Sequence, residues 1–65
     1  MAAEVPPPPE LARLAEAVRR ACIEAALAAY EDAGVMGLCA EGRWEAAVGA
    51  MQSLRLETLL RPQDD

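Results

Sequence analysis

Apolar residues recur at spacings of three and four from Leu11 to Met36, and this repeat constrains the fold more than any other feature of the chain. Such spacing places them on one face of an amphipathic α-helix. The members of the stripe are Leu11, Leu14, Val18, Cys22, Ala25, Ala29, Ala33 and Met36. Pro9 suits the first helical position, where its missing N–H costs nothing. The pattern therefore predicts a helix that begins at Pro9.

Two glycines make the end of this helix ambiguous. Gly34 could stop it as a C-terminal cap, or the helix could continue and Gly42 could be the cap. The apolar stripe keeps its phase through Met36 and Ala40, and no Pro, Asn or Ser marks a loop there. We therefore expect a helix over 9–41 and a turn at Gly42.

A second helix is predicted over 43–60. Its inner stripe is Trp44, Ala47, Val48, Met51, Leu54 and Thr58. Pro62 disfavours helix at the preceding Arg61, so the hairpin should occupy 9–61. Residues 1–8, which include three of four consecutive prolines, and the acidic residues 62–65 are predicted to be disordered tails.

The unequal helix lengths predict association. A chain of 65 residues buries little surface and usually needs a further stabilising element. A shorter second helix would leave the N-terminal half of the long one without cover. We therefore expect an all-α helical hairpin that dimerises into a four-helix bundle. The predicted interface is Leu11, Leu14, Val18, Cys22, Ala25, Ala29 and Tyr30.

The segment 41–47 resembles the turn between the helices of a tetratricopeptide repeat. Gly42, Trp44 and Ala47 match a turn glycine, an aromatic two residues later and an alanine three after that. The resemblance covers less than half of the chain, and no second repeat follows, whereas at least three repeats are usually needed for stability. We interpret it as shared helix-hairpin packing and not as membership of that family.

Charge excludes some classes of partner. Eleven acidic residues against six Arg and no Lys give a net charge of −5. Nucleic-acid binding usually requires a basic patch, and anionic membranes attract basic segments. No apolar run approaches the roughly 20 residues of a membrane span, and the acidic start lacks the apolar core of a secretory signal. We expect a cytoplasmic protein with no nucleic-acid or membrane partner.

Catalytic and metal chemistry are poorly supplied. The chain has no His and no Lys, and two thiolates fall short of the four ligands of a structural zinc site. We predict no catalytic, cofactor-binding or metal residues, and no enzyme activity. Cys22 and Cys39 are interpreted as small apolar residues. The alternative is a redox or metal sensor that uses both thiols across a dimer.

The predicted function is therefore general. We expect a small non-enzymatic protein-interaction or regulatory module, active as a homodimer and binding a further protein. An accessory or adaptor subunit of a larger enzyme complex is an alternative. Arg43 and Trp44 are the candidate partner surface, because Trp is enriched at binding hot spots. The competing interpretation of Trp44 is a plug that seals the turn end of the hairpin.

Overall fold

The computed structural model describes residues 5–60, and helices account for most of them. In chain order they are α1 (Pro9–Val35), α2 (Ala40–Gln52) and α3 (Glu57–Leu60), with no strand in this range. The all-α prediction is therefore confirmed for the described residues. Residues 5–8 are exposed and outside any helix. The remainder of both predicted tails and Arg61, the last residue of the predicted hairpin, lie outside the described residues.

The start of α1 is the one predicted. Pro8 precedes the helix with φ −57° and ψ 149°, and Pro9 occupies the first helical position. The N–H of Ala12 donates to the Pro8 carbonyl at 3.0 Å, which is the first helical hydrogen bond. Glu10 lies in the first turn, where a negative charge favours the helix dipole.

The predicted end of this helix is wrong, because α1 stops at Val35 and does not continue to 41. Gly37 adopts φ +87°, a left-handed conformation that glycine reaches without steric cost. The Gly37 N–H donates to the Gly34 carbonyl at 3.0 Å. The Leu38 N–H donates to the Ala33 carbonyl, also at 3.0 Å. These two nested bonds form a Schellman motif, which satisfies carbonyls that a helix end otherwise leaves unpaired.

The second helix is also displaced from the predicted 43–60. It begins at Ala40 after the N-cap residue Cys39, so Gly42 lies within its first turn and not at a bend. It ends at Gln52. Just beyond, the Leu54 N–H donates to the Met51 carbonyl at 3.3 Å, across three residues and not the four of an α-helix. This interruption separates the four residues of α3 from α2, so the predicted single helix is two.

Packing between the helices involves small side chains. Both α2 and α3 contact α1, and the buried residues within 5–60 are Ala33 and Ala47, with 1% and 3% of their surface exposed. Leu14, Val18 and Cys22 are half-buried, which corrects the expectation that their own chain leaves them uncovered.

The molecule is a thin layer. Its principal dimensions are 47 × 41 × 13 Å, and the smallest is close to the roughly 10–12 Å diameter of one helix with its side chains. The Cα radius of gyration is 15.9 Å, against about 11 Å for a compact domain of this length. None of the described helices combines the length and apolar character needed to cross a membrane.

Candidate interaction surface beside the helix turn

An open groove lies where the C-terminal end of α1 meets the start of α2. We call it the turn groove, and its lining residues are Leu27, Tyr30, Glu31, Gly34, Val35 and Arg43. The first four follow helical spacing, so they lie along one side of α1. Arg43 reaches the same groove from α2. The Schellman motif places these two helices side by side, and it therefore creates the groove.

Arg43 connects all three parts of this region. Its Nε donates a hydrogen bond to the Leu38 carbonyl at 3.2 Å. Its guanidinium carbon lies 5.6 Å from the centroid of the Tyr30 ring, within the range of a cation–π interaction. The residue is half-buried. Arg43 therefore holds α2 to the turn and to α1, a role that its expected position on the surface did not predict.

Two glycines make this arrangement possible. A Cβ built on Gly34 would lie 2.9 Å from the Arg43 guanidinium carbon, closer than real Cβ contacts allow. A Cβ on Gly42 would lie 3.1 Å from Cδ2 of Leu38. Gly34 therefore leaves space for the guanidinium group, and Gly42 leaves space for the leucine that follows the turn.

The structure divides the predicted interface between two faces of α1. Leu14, Val18, Cys22, Ala25 and Ala29 are half-buried and share the helix face of the buried Ala33. Tyr30 belongs to the turn groove and is 38% exposed, while Leu11 is 56% exposed. Tyr30 and Leu11 are therefore the two exposed members of the predicted interface.

Trp44 does not seal the hairpin. It is 62% exposed, so the interpretation as a plug is wrong, and its place in the predicted inner stripe is wrong with it. Thr58, also assigned to that stripe, is exposed. Ala47 occupies the buried position of α2, one helical turn after Arg43. Trp44 thus stands beside Arg43 with most of its ring surface available.

The exposed apolar row of α1 extends beyond the groove. Ile23, Leu27 and Tyr30 are 51%, 59% and 38% exposed, and they form a row beside the one that carries Ala33. Val35 and Met36, at 88% and 72%, continue the apolar surface at the turn. Most of the apolar area of the turn region therefore faces solvent in the single chain.

Ionic and thiol groups are spread over the surface. Glu16 pairs with Arg19 at 3.7 Å, and both side chains are more than half exposed. Cys22 is half-buried and Cys39 is exposed, and both are free. Within residues 5–60 no group of three or more His, Cys, Asp or Glu side chains is placed to hold a metal ion.

The sequence did not predict the contact of Arg43 with Leu38 and Tyr30, because this contact depends on a turn that the periodicity did not reveal.

No protein-family model, curated protein or solved structure matches this chain. The short resemblance of 41–47 to a repeat turn loses its structural basis, since Gly42 lies inside α2.

Proposed function

We propose that this chain is a non-enzymatic helical interaction module that acts as a homodimer, with two hairpins packed into a four-helix bundle. The observation that carries the proposal is the single helical layer whose buried residues, among those described, are Ala33 and Ala47. Domains are generally built from at least two packed layers, since each helix must bury its apolar stripe against another element. A second copy would supply the missing layer.

The energetics of burial support this view. A buried methyl group contributes about 0.8 kcal/mol, so two alanine side chains contribute about 1–2 kcal/mol. The exposed large apolar side chains could contribute far more if a partner covered them. They are Val5, Leu11, Ile23, Leu27, Tyr30, Val35, Met36, Leu38, Trp44, Leu56 and Leu60.

Surface area supports it as well. The accessible area of the chain is 5698 Å², whereas a folded monomer of its mass is expected to expose about 4,000 Å². A standard protein interface covers about 800 Å² on each partner. The chain therefore exposes more surface than a compact monomer of its mass, and an interface of standard size would cover part of that excess.

The proposal includes binding to another protein through Arg43 and Trp44. Tryptophan and arginine are enriched among residues that dominate binding energy, and Trp44 is 62% exposed beside Arg43. We place this function in the cytoplasm, where both free thiols would remain reduced. This second surface would remain available if the copies associate elsewhere.

The test is the solution mass by light scattering after size exclusion, with far-UV circular dichroism on the same fractions. A helical species of twice 6.9 kDa that dissociates on dilution is the expected result. A helical monomer at every concentration would refute the homodimer. A poorly folded monomer would refute it too, and would favour an adaptor that folds only on its partner.

A further inference from the structure

Exposed apolar side chains are concentrated where α1 turns into α2. Of the eleven large ones, six lie between residues 27 and 44. We call these six the turn surface, and they are Leu27, Tyr30, Val35, Met36, Leu38 and Trp44. Arg43 connects them, because it lines the turn groove, bonds to the Leu38 carbonyl and is followed by Trp44. An exposed apolar area of this kind marks an interaction site.

The negative charge of the chain is concentrated in the same region. Residues 24–45 carry five acidic residues and one Arg, which gives −4, whereas residues 5–23 give +1 and residues 46–60 give zero. The five acidic side chains are all exposed, and they are Glu24, Glu31, Asp32, Glu41 and Glu45. The turn surface therefore combines apolar side chains with an excess of carboxylates.

The chain does not neutralise these carboxylates itself. Within residues 5–60 none of the five is ion-paired, since the salt bridge of this range joins Glu16 to Arg19. Arg43 is the one cation among them, and its guanidinium group lies over Tyr30 while its Nε bonds to Leu38. The carboxylates around the turn are thus available to cationic groups of a partner.

This combination selects the chemistry of the partner. A second copy would bring its own excess of negative charge to the turn surface, and like charges across an interface are unfavourable. Lys and Arg side chains suit it better, because their aliphatic stems cover apolar surface while their charged ends reach carboxylates. The groove follows α1 from Leu27 to Val35, about 12 Å at 1.5 Å per residue, which two turns of another helix would cover.

We propose that the turn surface binds a basic amphipathic helix of another protein, with the apolar stripe of that helix on Leu27, Val35 and Trp44. Its Lys or Arg side chains then pair with Glu31 and Glu45. The proposal rests on the binding function proposed above for Arg43 and Trp44, and it adds the chemical class of the partner. Amphipathic helices commonly bind proteins by laying their apolar face into a groove.

Trp44 provides the measurement, because it is the only Trp of the chain and belongs to the turn surface. The probe is a synthetic peptide of about 14 residues, made of Leu at helical spacing and Lys on the other face. Its binding should move the Trp44 emission to shorter wavelength as the ring leaves water, and added salt should weaken it. The same peptide with Glu in place of Lys should cause no shift. An absent shift with the Lys peptide, or an equal shift with both, would overturn the proposal.

Matched charge variants locate the binding. The double variant Glu31→Gln with Glu45→Gln should raise the dissociation constant of the Lys peptide by about fivefold or more, because it removes two carboxylates at the turn surface. The control is Glu10→Gln with Glu57→Gln, two exposed positions outside residues 24–45. It raises the net charge by the same amount and should change the constant less than about twofold. Equal effects would show attraction to the overall charge alone and would overturn the site.

Matched apolar variants test the surface independently of charge. Leu27→Ser should weaken binding of the Lys peptide by about tenfold, because it removes apolar area that the peptide covers. Leu60→Ser is the control and should change it less than about twofold. The two leucines are 59% and 64% exposed, so neither substitution should unfold the chain. Equal effects of the two would contradict docking on the turn surface.

The proposals of this protein fail in different ways. A monomeric chain that still shifts its Trp44 emission with the Lys peptide would remove the homodimer and keep the partner surface. Binding of the Glu peptide alone would keep a partner surface at Trp44 and overturn the basic partner. A dimer whose Trp44 emission responds to neither peptide would overturn the inference drawn from the turn surface and leave the homodimer.

Discussion

Gly37 offers a direct test of where the first helix ends. A Cβ at this residue would meet nothing within 4 Å, so its φ of +87° is the only obstacle to a side chain. A left-handed conformation costs a non-glycine residue about 1–2 kcal/mol. Alanine also restricts the unfolded chain, which returns about 0.4–1 kcal/mol. Gly37→Ala should therefore lower the free energy of unfolding by about 1 kcal/mol.

Gly49 supplies the matched control. A Cβ there also meets nothing within 4 Å, but the residue lies within α2 with helical geometry. Replacing glycine by alanine in a helix interior gains about 0.5–1 kcal/mol. The same substitution is thus expected to act in opposite directions at two equally open positions, with a difference of about 2 kcal/mol between the variants.

Urea unfolding followed by circular dichroism, at one fixed chain concentration, measures both changes. The fixed concentration matters because association adds to apparent stability. If Gly37→Ala proved as stable as the parent or more so, the reasoning would be refuted. That result is what a continuous helix over 9–41 requires, since alanine is the better residue in a helix interior.

Three further substitutions and one labelling experiment probe the turn region. Arg43→Met should lower the free energy of unfolding by about 1 kcal/mol through loss of its hydrogen bond to Leu38. A double-mutant cycle with Tyr30→Leu should give a coupling energy of about 0.5–1 kcal/mol. A coupling energy of zero would contradict the cation–π contact. Trp44→Gln should change the free energy of unfolding of the single chain by less than about 0.5 kcal/mol. Urea unfolding at a concentration where the chain is monomeric measures this change, and a larger loss would indicate that the ring packs within the hairpin. A thiol reagent should modify Cys39 before Cys22, because Cys39 is exposed and Cys22 is half-buried. Mass spectrometry of a partly modified sample identifies the first site. Preferential labelling of Cys22 would contradict this difference in exposure.

The sequence predicted the beginning of the fold better than its middle. Pro9 and the stripe from Leu11 predicted α1 because a prolyl residue and a 3.6-residue period act locally. The end of α1 was missed because the apolar phase continues through Met36, so periodicity alone could not distinguish an interrupted helix from a continuous one. The deciding feature is a left-handed Gly37, which a glycine in the sequence permits but does not require.

The turn groove was less accessible to prediction than the helices. Leu27 and Tyr30 were recognised as an apolar row beside the main stripe, but their exposure depends on where α2 lies. Arg43 could be placed beside Leu38 and Gly34 only once the turn was moved to 36–39. Trp44 was misjudged for the same reason, since moving the turn rotates the faces of α2 with respect to α1.

The alanine contact between the helices has a consequence for how the single chain fluctuates. Separating α2 from α1 breaks the contact of Arg43 with Tyr30 and exposes two buried alanines, Ala33 and Ala47, so the opened state should cost less free energy than opening a leucine-filled core. Backbone amides of α2 should exchange with solvent deuterium almost as readily as those near a chain end. Cleavage by proteases follows the population of such opened states when reclosing is fast. The cellular lifetime of the chain would then depend on how soon another surface covers it.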